Sequence, residues 1–225
     1  MKKVNIAIDG PAGAGKSTIA RIVSETLGFI YLDTGAMYRA VALKAIRQGV
    51  NTRDLKALAE LVESIDIRIF YAGNEQRILL DNKEVTQEIR APEISIAASD
   101  VAAVPEVRIK MVELQRDIAK TNDVVMDGRD IGSYVLPDAD VKIYLTATVE
   151  ARAQRRFNEQ ADKGIKDASI EEVMKDIEYR DRNDSTREFA PLVKAGDAVE
   201  IDTTHMSVRE VANKIISLIK EQSTC

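Results

Sequence analysis

Residues Gly10-Pro11-Ala12-Gly13-Ala14-Gly15-Lys16-Ser17 spell G-x-x-x-x-G-K-S, a spacing with a definite chemistry. Glycines at these positions let the chain curl into a nest of backbone N–H groups, and a helix that follows adds the positive end of its dipole. Lys16 can then span the β and γ phosphates of a nucleoside triphosphate, while the Ser17 hydroxyl is offered to Mg²⁺. A glycine-rich turn beside an ordinary surface lysine is the plainer alternative. An apolar strand before the motif and an amphipathic helix after it argue against that alternative.

Two further segments carry groups suited to anions. Asp127 ends an apolar run and opens Asp127-Gly128-Arg129-Asp130, which reads either as a carboxylate that assists a metal ion or as a simple strand-terminal turn. Asp33-Thr34-Gly35-Ala36-Met37-Tyr38-Arg39 puts a hydroxyl at a helix start and a guanidinium about one turn in. That pair could hold a second phosphate group, or Thr34 could be only an N-cap beside a solvated arginine. Arginines then crowd the later chain: Arg129, Arg152, Arg155, Arg156, Arg180, Arg182 and Arg187. Arg152, Arg155 and Arg156 sit at three- and four-residue spacings on one helix, either as a solvated face or as cations for a phosphoryl group in transfer.

These groups need elements to position them. Val4–Ile8 is a short β-branched run, and Ser17–Leu27 repeats apolar residues at helical spacing until Gly28 stops it. Residues 29–32 read as a second strand, with Thr34 as the N-cap of a helix from about 36 to 48, closed by Gly49. Leu55, Leu58, Leu61 and Val62 predict another helix over 54–64. The rhythm then changes. Residues 65–71 and 76–81 alternate about Ala72-Gly73-Asn74-Glu75, and Asp81-Asn82-Lys83 offers a second turn, so residues 62–100 are expected to form an inserted β-rich subdomain. Helical spacing resumes at Pro105. Strands are expected at 123–127, 140–145 and 198–202, with helices at 149–162, 169–183 and 207–221. Strands alternating with helices define an α/β fold with a parallel sheet sandwiched by helices, and ligands of such sheets sit beyond the carboxyl ends of the strands.

Composition excludes several classes. The 225 residues are 45% hydrophobic and 31% charged, which is enough for a full core and argues against a disordered chain. The 32 Lys and Arg against 37 Asp and Glu give a net charge of -5, the wrong sign for coating nucleic acid. One cysteine, Cys225, allows no internal disulfide or thiolate zinc site, and one histidine, His205, makes Ser-His-Asp chemistry improbable. The apolar run after Lys3 ends at Asp9, too short for an export signal, and no stretch approaches a membrane span. A cytoplasmic protein with no nucleic-acid or membrane partner is expected.

Taken together, Ile8 to Thr18, Leu32 to Arg39, Asp127 to Gly132, Arg180-Asp181 with Asp184 and Arg187, and Ala190-Pro191-Leu192 resemble the bacterial-type cytidylate kinases of the P-loop nucleoside monophosphate kinase group. The resemblance covers essentially the whole chain and implies transfer of the γ-phosphoryl group of ATP to CMP or dCMP, in pyrimidine nucleotide metabolism. It implies that Gly10, Pro11, Ala12, Gly13, Ala14, Gly15, Lys16, Ser17 and Thr18 hold ATP, with Arg152, Arg155 and Arg156 at the start of a mobile lid over it. Mg²⁺ would meet Ser17 and Asp127. Thr34, Arg39 and Arg129 would grip the CMP phosphate; Ser99, Arg108 and Asp130 would read cytosine; and Arg180, Asp184 and Arg187 would contact ribose and phosphates. Lys16, Arg129, Arg180 and Arg187 are then the catalytic cations. Thr34 stands where relatives often carry Ser, which keeps the hydroxyl. The implied organisation is a P-loop core at 1–61 and 101–225, a lid at about 150–187, an NMP-binding insert at 62–100, and a monomer. A kinase for UMP, dTMP or shikimate and a nucleotide-dependent switch remain open on the residues alone. A Rossmann protein fits the Lys-Ser ending less well.

Overall fold

A computed structural model of the protein describes residues 3–73, 75–162, 164 and 169–222. Five strands form one sheet: β1 (Asn5–Asp9), β2 (Ile30–Asp33), β6 (Val124–Asp127), β7 (Val141–Thr146) and β8 (Val199–Asp202), in the order β2-β6-β1-β7-β8 with every pair parallel. The expected sandwich is what forms. Ile6, Ala7 and Ile8 are all fully buried, yet they serve different cores because successive strand residues point to opposite faces. Ile6 and Ile8 join Tyr31, Val125 and Leu145 under α1 (Lys16–Leu27) and α8 (Val208–Gln222), whereas Ala7 joins Leu32, Val124 and Met126 against α5 (Pro105–Thr121). A sheet covered on both faces needs continuous apolar runs, which explains the lack of polar alternation in these strands.

A third core lies to one side, among α2 (Thr34–Arg47), α3 (Leu55–Glu63), α4 (Pro92–Val101) and α5, and it carries a small antiparallel sheet. That sheet is β3 (Ile67–Ala72), β4 (Glu75–Leu80) and β5 (Lys83–Glu84), with Ile67 opposite Leu80 and Ile69 opposite Ile78. Leu80 pairs with Lys83 across the two residues Asp81 and Asn82, whose φ values of 48° and 64° are the doubly left-handed geometry that suits a two-residue hairpin. Asn74, in the first expected turn, lies outside the described residues.

The strands occupy only 67–84 of the stretch expected to be β-rich. From Glu88 it is helical, a 3₁₀ turn followed by α4, with Pro92 at the first turn and Ile94, Ala97, Ala98 and Val101 buried on one face. The spacing i, i+3, i+4, i+7 is a helix period, and α4 lies against α2. Helices α6 (Val149–Asp162) and α7 (Ile170–Thr186) pack together at the carboxyl end of the sheet; residues 163 and 165–168 of the expected lid lie outside the described residues. Among the described residues no helix is long and apolar enough to cross a membrane.

Candidate active site

The carboxyl ends of β1, β2 and β6 open into one cleft of about 510 Å³, lined by Gly13 to Thr18, Thr34, Arg39, Ser99, Arg108, Asp127 to Asp130, Arg155, Arg156, Arg180, Asp184 and Arg187. This size suits a small-molecule site. The loop after β1 turns at Gly10, where a side chain is impossible because a Cβ would stand 2.0 Å from the Leu145 carbonyl oxygen. Gly15, at φ 87°, is the left-handed residue that starts α1. Lys16 is buried under the loop and its Nζ donates to the Pro11 carbonyl at 2.7 Å. Of the expected phosphate-holding segment, Gly13 to Thr18 face the cleft; Gly10, Pro11 and Ala12 form the turn behind it.

Arg152 is also behind that turn and does not line the cleft. Its guanidinium donates to the carbonyls of Ala147 at 3.0 Å and Ala12 at 2.8 Å and pairs with Asp181, whose other oxygen accepts from the Ala12 N–H at 2.8 Å. It braces the loop. Arg155 donates to the Thr203 hydroxyl at 3.0 Å, Arg156 pairs with Glu159, and Arg182 is exposed away from the cleft.

At the end of β2 the helix cap departs from expectation. Asp33, not Thr34, is the N-cap of α2, its carboxylate accepting from the Ala36 N–H at 2.9 Å and from Arg39 at 2.8 Å. The Thr34 hydroxyl instead donates to the Asp127 carbonyl at 2.7 Å, because β2 and β6 run in register with Asp33 beside Asp127. The Asp127 carboxylate accepts from the Ser17 hydroxyl at 2.9 Å and from the Tyr31 hydroxyl at 2.8 Å. Burial pushes this carboxyl up to about 6, and neighbouring Asp33 adds to the shift. In Asp33 itself the guanidinium of Arg39 and the Ala36 N–H outweigh burial and hold the carboxyl below its usual value.

The deeper wall holds a buried charge network. Arg108, 1% exposed, pairs with Asp130, which also meets Arg187 at 3.4 Å. Asp184 accepts from the Ser99 hydroxyl at 3.0 Å and from Arg129 at 2.8 Å. Burial would raise the Asp184 carboxyl, but Arg129, Arg187 and Arg180 together hold it low. The Ala190-Pro191-Leu192 segment folds back on α7: the Leu192 N–H donates to the Asp184 carbonyl at 2.8 Å, and Arg187 donates to the Ala190 carbonyl at 2.8 Å. Asn183, which sequence reasoning passed over, donates to the Ser99 carbonyl at 2.8 Å and so ties α7 to α4.

Cations outnumber their partners in the middle of the cleft. Burial, then the adjacent Arg129, lowers the Lys16 ammonium well below its ordinary value and brings the Arg180 guanidinium down to about 10. Among the described residues the Nε of Arg180 has no hydrogen-bond partner. Buried cations that depress one another are stabilised by an anion among them. For a metal ion, the Ser17 hydroxyl and the Asp127 carboxylate are a hard-oxygen pair at the mouth of the phosphate loop. Among the described residues no cluster of three or more His, Cys, Asp or Glu could cage a metal ion. This donor set fits Mg²⁺, which is commonly held by one or two protein oxygens with substrate phosphates and water.

Asp9, also missed in the sequence, ends β1 and accepts from the N–H groups of Ile131 at 2.8 Å and Gly132 at 2.7 Å. It thereby fixes the segment after Asp130 against the phosphate loop. Burial pushes its carboxyl from the ordinary 3.8 up to about 7. The folded chain therefore holds this proton more tightly than the unfolded chain, and the contribution of Asp9 to stability falls as pH rises from about 4 to 7. Asp9→Asn, neutral and of the same shape, should show a shallower decline in Tm over that range in thermal melts. A slope equal to that of the natural protein would mean that Asp9 ionises at no cost.

Similarity to known proteins agrees with this geometry. A family model described as cytidylate kinase matches residues 6–221. The cytidylate kinase of Caldicellulosiruptor bescii is 51% identical over 97% of this chain and 96% of its own length. That of Halalkalibacterium halodurans is 50% identical over 99% of this chain and 100% of its own. Among solved structures, an uncharacterized protein from Eubacterium ventriosum aligns over 98% of this chain and 99% of its own with a TM-score of 0.53 at 12% identity, a likeness of fold alone.

Proposed function

The chain belongs to the cytidylate kinase family, an ATP-dependent kinase acting on CMP, and we propose that this cleft seats ATP on Gly13 to Thr18 and CMP or dCMP between Thr34, Arg39, Arg129 and the Asp130 wall. One observation carries the reading: two anion-holding constellations, from β1 and from β2, converge on Asp127 through Ser17 and Thr34. A switch that binds one nucleotide has no need of the second.

An oxygen of the CMP phosphate attacks the γ-phosphorus of ATP, the bond from γ-phosphorus to the bridging oxygen breaks, and ADP departs. A phosphate is already an adequate nucleophile at neutral pH, so no histidine is required. Lys16, Arg129, Arg180 and Arg187 offset the charge spread over the transferring group, with Arg129 and Arg187 held ready by Asp184 and Lys16 by the Pro11 carbonyl. Ser17 and Asp127 would hold Mg²⁺, which when bound neutralises the phosphates of ATP. Arg108 and Asp130, with Ser99, present donor and acceptor to the cytosine edge. Arg155 and Arg156 lie on the donor side of the cleft, on a helix that closes over ATP and excludes water.

Incubation of the protein with ATP, Mg²⁺ and each monophosphate in turn should give CDP and ADP from CMP, and ADP without CDP would overturn the reading. The acceptor end has its own test. Arg39→Ala and Arg129→Ala should each raise KM for CMP or lower kcat while KM for ATP stays within about twofold, since each deletes a charge-assisted phosphate contact of about 1.5–3 kcal/mol. Equal losses for both substrates would move these arginines to the donor side or to the scaffold.

A further inference from the structure

β2 is an edge of the main sheet, with β6 on one side only. Its outward backbone groups belong to Tyr31 and Asp33, and an uncovered strand edge is a liability that folds usually mask. Here the antiparallel sheet masks it with side chains. The Tyr71 hydroxyl of β3 donates to the Tyr31 carbonyl at 3.0 Å. The Gln76 amide of β4 uses both its ends on one residue: its oxygen accepts from the Asp33 N–H at 2.7 Å and its nitrogen donates to the Asp33 carbonyl at 3.2 Å. Gln76 thus imitates a neighbouring strand at the single residue where β2 becomes α2.

That residue matters beyond the edge. The Asp33 carboxylate caps α2 and holds Arg39, and the next residue in the chain is Thr34. We propose that Gln76 is a positioning residue for the acceptor phosphate: by clamping the Asp33 peptide from both sides, it sets where the Arg39 guanidinium and the start of α2 stand. The three-stranded insert thereby governs acceptor affinity without touching the acceptor phosphate. Tyr71 grips the same strand two residues earlier, at Tyr31, whose side chain reaches Asp127 and not Arg39 or the start of α2, so its bond covers the edge without setting the acceptor cation. The inference rests on the reading of Thr34 and Arg39 as the acceptor-phosphate site.

Steady-state kinetics and thermal melts of Gln76→Ala, Gln76→Glu, Tyr71→Phe and Arg39→Ala separate these roles. Gln76→Glu keeps the acceptor for the Asp33 N–H, loses the donor, and sets a charge beside Asp33, so it stands in if the alanine variant does not fold. Loss of both hydrogen bonds in Gln76→Ala, or of one with a charge set beside Asp33 in Gln76→Glu, predicts that either variant raises KM for CMP about tenfold with KM for ATP within about twofold. Tyr71→Phe should lower Tm and leave KM for CMP in place. Folded Gln76 variants with unchanged KM for CMP, or with both KM values raised alike, overturn the proposal while Arg39→Ala still raises KM for CMP. If Arg39→Ala leaves both KM for CMP and kcat unmoved, the acceptor-site reading fails, and the proposal with it.

Discussion

Lys16→Ala should lower kcat for CDP formation by ~10²–10³ while the fold remains intact, because it removes a preorganised cation from the transferring phosphates. The surroundings of Lys16 explain why kcat takes the loss. Its Nζ is held at 2.7 Å by the Pro11 carbonyl, inside the loop, and its ammonium is depressed by burial and then by Arg129. A cation buried beside Arg129 gains most from an anion as charge gathers on the transferring group. Tm of the variant should equal or exceed that of the natural protein, since a buried charge is gone. Initial rates of CDP release and a melting curve on the same preparation decide it. CDP formation at the natural rate would refute the assignment of this loop to ATP.

Asp130→Asn is expected to act on both base choice and stability. Cytosine offers an N4 amino donor beside N3 and O2 acceptors, and Asp130 is the acceptor among buried guanidinium groups. Uracil would set its O4 against the carboxylate, whereas an asparagine amide can donate to O4. A buried mismatch costs ~1–3 kcal/mol, so kcat/KM for CMP should fall roughly 10- to 100-fold, with a smaller loss for UMP that narrows the CMP:UMP ratio. The same change strips the anion from Arg108 and Arg187, and breaking a buried pair in this way costs about 3–5 kcal/mol, so Tm should drop clearly. Comparing CMP, dCMP and UMP in both proteins tests the first effect and a melt the second. An unchanged CMP:UMP ratio in a folded, active variant would mean that Asp130 does not read the base.

Local chemistry was legible in the residues. The strands of the main sheet, the left-handed stop at Gly28, the helices α6 and α7 and the hairpin about Asp81 and Asn82 follow from periods of 2 and 3.6 and from turn propensity. The phosphate loop was equally plain, because its glycines, lysine and serine lie within eight consecutive positions. The helix α4 was hidden by the strands just before it. Its pattern of Ile94, Ala97, Ala98 and Val101 is short and rich in alanine, and packing on α2 rather than periodicity makes it stand out.

By itself, then, the sequence determined most of the elements, the loop that suits ATP, and the family to which the other motifs point. The tertiary structure alone decided which distant polar groups meet. Asp33 displaced Thr34 as the helix cap because register between β2 and β6 gave the Thr34 hydroxyl a better partner in the Asp127 carbonyl. Arg152 went behind the loop because Asp181 and two carbonyls wait there, one of them 140 positions away. Asp9 found the N–H groups of Ile131 and Gly132, and Gln76 found Asp33, for the same reason. A single carboxylate, amide or guanidinium carries no period and no local signature. Its partner is chosen only when strands far apart in the chain are set side by side, and each buried polar group must then be satisfied by whatever the fold has brought within reach.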